Sequence, residues 1–451
     1  MNKKTHRLRT VTAVALALAL AAGTLTSCST AGKGGESSPG ESSSATSTKP
    51  EPTGEMYTLA KKAQEDMFKN FWEGEPDTGH MVREDHGYKT NGRQTMIWAH
   101  AMMLFGMETM YDLTESPELK NRIIAQWNFT KDNFTEEYLV RPGKDPNIAI
   151  DDAGWDAMAY MVWYRATGDE YPLRAAGKLI RNSYEYWKDG DVANGLWYPQ
   201  TPPSQGGDAT TRFKSLYSAA MILAALEYCE VTGDEEIYND TMKVYEWIEE
   251  HLLRDGKEEY PGFTMDCDDN LYFCDYNEDR EGRSEKTGPD GGTRPLDIKE
   301  AGSVSFLGGN MAMGVIHARL YKKTGEEKYL TRALETVRAI SDGPYNVEGV
   351  LLNDRDAWTN GAFMGVWVKD VLTLPGVEQK DKDLIYNTAR SIAQNSRTEE
   401  GYYGASWDKP VGTSKWDEGS KPEQIMTSAT TTNVLMAAAL LEGIEKEGAA
   451  A

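Results

Sequence analysis

The chain has 451 residues, enough for one large domain or two ordinary ones, and it is strongly acidic, with 71 Asp and Glu against 48 Lys and Arg and a formal net charge of −23. Phosphate backbones need a basic face, so nucleic acid is excluded as a partner. Twelve tryptophans and 23 tyrosines promise a large aromatic core and can also supply flat platforms for sugar rings.

At the N-terminus, Lys3, Lys4, Arg7 and Arg9 form a basic region, and Val11 to Gly23 is an apolar run too short to span a bilayer comfortably. Leu-Thr-Ser-Cys, residues 25–28, then resembles a bacterial lipobox. We expect residues 1–27 to be a lipoprotein signal peptide and Cys28 to be lipidated, the alternative being an ordinary signal peptide with a chance Cys. Residues 29–53 are rich in Ser, Thr, Gly and Pro, so 28–54 reads as a lipidated Cys and a flexible tether. The expected location is extracytoplasmic, with the folded part at 55–447 held near a membrane.

From Met56 the chain repeats itself. "YRATGDEYPLRAAGKLI", "CEVTGDEEIYNDTMKVYEWI" and "YKKTGEEKYLTRALETVRAI" each carry Thr-Gly-Asp/Glu, an aromatic and a helical run, and each follows another apolar helical run. Gly suits the left-handed position after a helix, and the acidic residue suits the first turn of the next. Degenerate copies raise the count to six apolar helices, starting near 96, 151, 214, 308, 357 and 427. Six amphipathic partners start near 56, 117, 171, 235, 327 and 380. Apolar helices belong inside and amphipathic ones outside. The expected fold is therefore all-α, an (α/α)6 toroid of twelve helices, with residues 56–71 closing the ring against the last helix. An open solenoid is the alternative. The stretch 258–302 reads mostly as loop, with room for a short hairpin.

In such a ring the loops feeding the inner helices line one mouth. Asp151-Asp152 starts an inner helix there. Trp98, His100, Trp197, Tyr198, Arg212, Lys214, Asn310, Arg355, Asp356, Trp358, Trp407 and Asp408 map to the same rim, although each tryptophan could equally be core. The pair could simply cap a helix. A second adjacent carboxylate adds repulsion, however, and repulsion splits two pKa values into a base or nucleophile and an acid. Neighbours on a helix diverge by about 100°, so we expect at least one of the two to lie outside regular helical geometry.

"DDAGW", residues 151–155, resembles the Asp-Asp signature of glycoside hydrolase family 76, the bacterial and fungal α-1,6-mannanases. The likeness continues through "GLWY", the Lys-led "FKSLYSAAMILAALEY" and the "TGEEKYL" repeat, over most of 95–394. It implies a retaining enzyme in which Asp151 is the nucleophile and Asp152 the general acid/base. It further implies a mannan-type glycan substrate; an endo-acting enzyme needs an open cleft with aromatic subsites, for which Trp98, Trp155, Trp197, Trp358 and Trp407 are candidates, and no cofactor is expected. Two departures stand out. Ser215 and Ser218 replace amides that the family carries after Lys214, and "FLGGNMAMG" leaves Asn310 as the amide of the fourth inner helix. Two other readings remain: an (α/α)6 hydrolase of another glycan, such as an unsaturated uronyl hydrolase, and a glycan-binding surface lipoprotein.

No metal is expected. Asp275-x-Asn277-x-Asp279 begins like a calcium loop, but Arg280 and Lys286 occupy the positions that need Gly and Glu. Cys229 reads as a buried thiol, while Cys267 and Cys274 share a loop and could pair.

Overall fold

The computed structural model describes residues 49–82, 97–141, 148–199, 212–253, 270–272, 275–277, 282–283, 285–287, 293–295, 306–343, 345–353, 358–413 and 420–450. The expected leader, Cys28, Cys267, Cys274, Arg355 and Asp356 lie outside the described residues.

Among the described residues, twelve helices alternate between an outer and an inner ring, and a one-turn helix, Glu136–Leu139, lies between two of them. The outer ones are α1 (Glu55–Phe71), α3 (Pro117–Asn133), α5 (Glu170–Trp187), α7 (Glu235–His251), α9 (Glu327–Ser341) and α11 (Gln379–Asn395). The inner ones are α2 (Ile97–Thr114), α4 (Ile150–Thr167), α6 (Ala219–Thr232), α8 (Leu307–Thr324), α10 (360–371) and α12 (Ile425–Ala450). In α10 a 3-10 turn, Asn360–Phe363, leads through Met364–Val366 into a π turn, Trp367–Val371. Each inner helix packs on the next, and α12 packs back on α2, so the ring is closed. The fold is the expected (α/α)6 toroid.

Burial separates the two rings. In α4 every residue from Ile150 to Trp163 except Asp152 is buried. The outer helix α5 instead buries one stripe, including Leu173, Ala176, Ile180, Tyr184 and Trp187. Gly154 lets α4 and α6 touch: a Cβ there would lie 2.7 Å from the Met221 amide nitrogen.

The repeated Thr-Gly-Asp/Glu turn works by the same contacts each time. Thr167, Thr232 and Thr324 donate their hydroxyls to carbonyls one turn back. The same hydroxyls accept from the amides of Asp169, Asp234 and Glu326. Between them Gly168, Gly233 and Gly325 take φ values of 69°, 69° and 71°, the left-handed conformation that ends a helix. Asp169 and Asp234 then cap the outer helices by accepting from the Tyr171 and Ile237 amides.

The ring closes where α12 meets both α1 and α2. Asn433 donates to the Met102 carbonyl at 2.9 Å, and the Tyr57 amide donates to Glu442 at 3.4 Å. Beside this seam, Asp66 on α1 receives Arg397 through two nitrogens, at 2.8 and 3.1 Å, and Lys62 at 2.9 Å. Burial pushes the Asp66 carboxyl up, but Arg397 and Lys62 together outweigh it and hold it below its ordinary range.

An antiparallel sheet interrupts the helical pattern. Its strands are Lys188–Asp189, Asp191–Pro199, Arg212–Ser215, Asp275–Asn277 and Gly282–Arg283, in that order, and Glu285–Thr287 pairs with Thr293–Pro295 as a hairpin. The loop expected over 258–302 thus supplies strands. Lys214, read as opening the third inner helix, lies on a strand. That helix begins at Ala219 after a 3-10 turn, Leu216–Ser218. Three of these pairings are local hairpins, but Arg212–Ser215 joins strands distant in sequence, with Lys214 in register with Trp197 on one side and Tyr276 on the other. Gly195, at φ 81°, breaks the alternation because a Cβ would meet the Trp247 ring at 2.6 Å.

Two outcomes are expected. Gly233→Ala, with open space around the added methyl, costs about 1 kcal/mol from the left-handed backbone alone, read by urea unfolding. Asp66→Ala strands Arg397 and costs roughly 3 kcal/mol. Because the folded pKa of Asp66 is lowered, its contribution is present above the ordinary carboxylate pKa and is lost as pH falls through the lowered value. The variant and wild type therefore converge in acid.

Candidate active site

The inner-helix N-termini converge on one mouth, and α4 brings Asp151 and Asp152 to it. Both lie inside the helix, which starts at Ile150, so neither leaves helical geometry as the sequence led us to expect. Helical side chains lean toward the N-terminus, and Asp152 folds back far enough for Oδ2 to accept the Ala149 N–H at 3.3 Å. Asp151 is buried, with 7% exposure, one turn before Trp155. Trp155 is enclosed against Phe363 and Phe105, at ring-centroid separations of 4.8 and 6.4 Å. Those rings belong to α10 and α2, so Trp155, 1% exposed, plugs the ring beneath the aspartates and has no free face for a sugar ring, contrary to its expected place among the aromatic subsites.

The two carboxyls differ in environment. Burial pushes Asp152 up to about 6, and the Ala149 hydrogen bond offsets only part of that. A carboxyl held there stays protonated into the range where an acid can deliver a proton. One turn further on, Asp156 is also buried, with 5% exposure. Burial raises it well above the ordinary range, repulsion from Asp152 raises it further, and Arg141 pulls it down. The sequence reading passed over Asp156. Its signal was there: an acid four residues after Asp152 in an otherwise apolar run.

Other residues singled out from the sequence are placed as follows. Lys214 is buried, paired with Asp189 at 3.1 Å, and its ammonium lies 4.7 Å from the Trp197 ring centroid and 5.5 Å from that of Trp247. Trp197 is half-buried on the same sheet, cross-strand from Lys214, and Tyr198 stands opposite Phe213. Asn310 is fully buried and works inward: Oδ1 accepts the Tyr272 amide at 2.8 Å and Nδ2 donates to the Phe306 carbonyl at 3.0 Å. Trp98 is buried and Trp358 half-buried. Trp407 is buried, donating to Thr431 at 3.3 Å. His100 bridges the Val82 carbonyl and Gln126, and burial drives its pKa down to about 4.

Two rim amides went unread in the sequence. Asn360 accepts the Gly308 amide at 2.8 Å and donates to Asn353 at 2.8 Å, and Asn353 donates to the Ala405 carbonyl. This chain ties the starts of α8 and α10 to the loop before α12. A cavity of about 740 Å³ lies at the opposite end of the ring, lined by paired charges that include Arg165 with Glu108 and Arg319 with Asp370. It is remote from the aspartates. Among the described residues no group of His, Cys, Asp and Glu is arranged to hold a metal ion. Cys229 is a buried thiol, pushed up to about 12 by burial.

The sequence matches no family model and no curated protein. Solved structures do match. One is an inactive variant of an α-1,6-mannanase from Salegentibacter sp., with two consecutive aspartates changed to asparagine and α-1,6-mannotriose bound. It has a TM-score of 0.60 at 17% identity and covers 86% of this chain and 100% of its own. A family 76 α-mannanase from Bacteroides thetaiotaomicron has a TM-score of 0.59 at 16% identity, covering 87% and 98%. The fold is shared with the family 76 mannanases. An unsaturated glucuronyl hydrolase specific for heparin also matches, with a TM-score of 0.56 at 12% identity, covering 87% and 98%. One fold thus carries different substrates, and the likeness speaks for architecture.

The raised Asp152 pKa is itself a testable stability statement. Between its ordinary value, near 4, and about 6, the folded chain holds a proton that the unfolded chain has lost, so stability falls as pH rises through that window. Asp152→Asn removes the cost. The variant should melt above wild type at pH 7, by on the order of 2–3 kcal/mol, with the difference vanishing near pH 4.

Proposed function

We propose that this chain is a retaining glycoside hydrolase that cleaves internal α-1,6-mannosidic bonds, anchored at the bacterial cell surface through Cys28. The observation that carries the reading is the pair of carboxyls on the first turn of α4, with Asp151 buried and Asp152 raised to about 6 at one mouth of the ring. The shared fold supports it, as does a neighbour in which two consecutive aspartates were replaced to obtain an inactive complex with α-1,6-mannotriose. The apolar run and Leu-Thr-Ser-Cys before the tether support the anchor.

Glycoside hydrolysis with retention uses two carboxyls about 5 Å apart. In the first step Asp151 attacks the anomeric carbon, and the protonated Asp152 delivers its proton to the glycosidic oxygen. The carbon–oxygen bond breaks, and the shortened chain leaves as an alcohol. In the second step Asp152, now ionised, takes a proton from water. The water oxygen attacks the anomeric carbon and displaces Asp151, giving a free reducing end of unchanged configuration. Each carboxyl returns to its starting state.

The test is incubation of unbranched α-1,6-mannan with the protein from Glu55 onward, beside Asp151→Asn and Asp152→Asn. Wild type should release oligosaccharides, and each variant should lose at least about 1,000-fold in rate. Folded wild type that releases nothing from mannan would overturn the substrate assignment. Activity retained in both variants would overturn the roles of the pair.

A further inference from the structure

Asp156 is the one carboxylate in α4 that the proposed chemistry does not use. It stands one turn after Asp152 on an unbroken helix, which sets the two side chains on one face, with Cβ atoms about 6 Å apart. It is 5% exposed, and its Oδ1 is buried without a hydrogen-bond partner. The hydroxyl of Tyr160, one turn further along, is committed to the Leu139 carbonyl at 2.8 Å. On Asp152, Oδ2 is held by the Ala149 amide. Among the described residues, the charged groups acting on Asp156 are Asp152 on its own helix and Arg141 from the neighbouring segment, while Tyr138 and Tyr160 sense it in turn. Arg141 is exposed and lies over the Tyr138 ring at 4.6 Å, and its charge lowers the Asp156 pKa less than burial and Asp152 raise it.

We propose that Asp152 and Asp156 form a dyad that shares one proton through neutral pH, with Asp156 the positioning residue that keeps this proton available to Asp152. The inference rests on the reading of Asp152 as general acid/base. Two carboxyls on one desolvated face lose their protons in two separated steps, because the second ionisation would place two charges together. Between those steps the face carries one proton and one charge. A fraction of molecules then has the proton on Asp152, and that fraction stays constant across the interval. A lone Asp152 would instead lose its proton about tenfold per pH unit above its own pKa.

The charges balance through the reaction. Before attack, Asp151 and the dyad carry one negative charge each. When the proton passes to the leaving oxygen the dyad becomes doubly charged, while Asp151 loses its charge into the glycosyl ester. Water returns the proton to the dyad in the second step, and Asp151 regains its charge.

The experiment compares wild type, Asp156→Asn and Asp156→Glu in two ways. The first is the pH profile of kcat on α-1,6-mannan. The alkaline limb should move toward acid by at least one pH unit in Asp156→Asn, so that kcat two units above the new midpoint falls roughly 100-fold, and Asp156→Glu should restore it. The second is carboxyl-carbon NMR of protein labelled at Asp, with Asp152 assigned by its loss in Asp152→Asn. Asp152 should titrate in two steps in wild type and in one in Asp156→Asn. The NMR needs no turnover, so a failure of the mannanase reading leaves the dyad testable. A single Asp152 step with the same midpoint in wild type and Asp156→Asn would overturn the proposal, as would an unmoved alkaline limb in an active enzyme. Circular dichroism checks folding, and Asp156→Ser replaces the Asn variant if that one is unfolded.

Discussion

Closure of the inner ring is the constraint on which everything else depends. Helices such as α4, with apolar residues on every side, have no stable exposed face and must be enclosed by one another. The last helix meets this need by lying against the first inner and first outer helices together, and Asp66 with Arg397 ties the outer layer beside that seam. Once the ring is closed, its axis fills with aromatic side chains, Trp155 against Phe105 and Phe363 among them. The carboxyls at the start of α4 then sit above a packed floor, with little water beneath them.

That floor shapes their chemistry. Desolvation penalises ionised carboxyls, and the penalty is what separates Asp152 and Asp156 from ordinary surface acids. A helix N-terminus favours negative charge, and the Ala149 amide offers Asp152 a partner. The two effects oppose each other at one side chain and leave it poised near neutrality. Capping and acid–base work are therefore compatible at Asp152, because the oxygen that caps the helix belongs to the carboxyl that titrates.

Polar groups elsewhere at the rim serve the framework. Asn310, Asn353 and Asn360 spend their amides on backbone groups and on each other, and Lys214 is wedged between tryptophans and Asp189. A buried amide or ammonium left without partners would cost several kcal/mol, so these contacts hold the loops that carry the mouth. Rim position in the sequence told nothing about direction. A residue type suited to bind a sugar is equally suited to satisfy a buried backbone.

The sequence by itself determined the helix count, the alternation of inner and outer helices and the turns between them. Each is a local matter: burial periodicity within one helix, or a Thr-Gly-Asp turn whose contacts close within a few residues. It also pointed to Asp151 and Asp152, because adjacent like charges at a helix start are costly without a purpose. Tertiary structure alone decided the sheet, whose strands at 191–199, 212–215 and 275–277 pair across long separations. It decided that Trp155 is floor and that Asn310 faces the backbone. It also decided the environment of Asp156, whose role turns on how much water the surrounding elements exclude, and no local pattern of residues records that quantity.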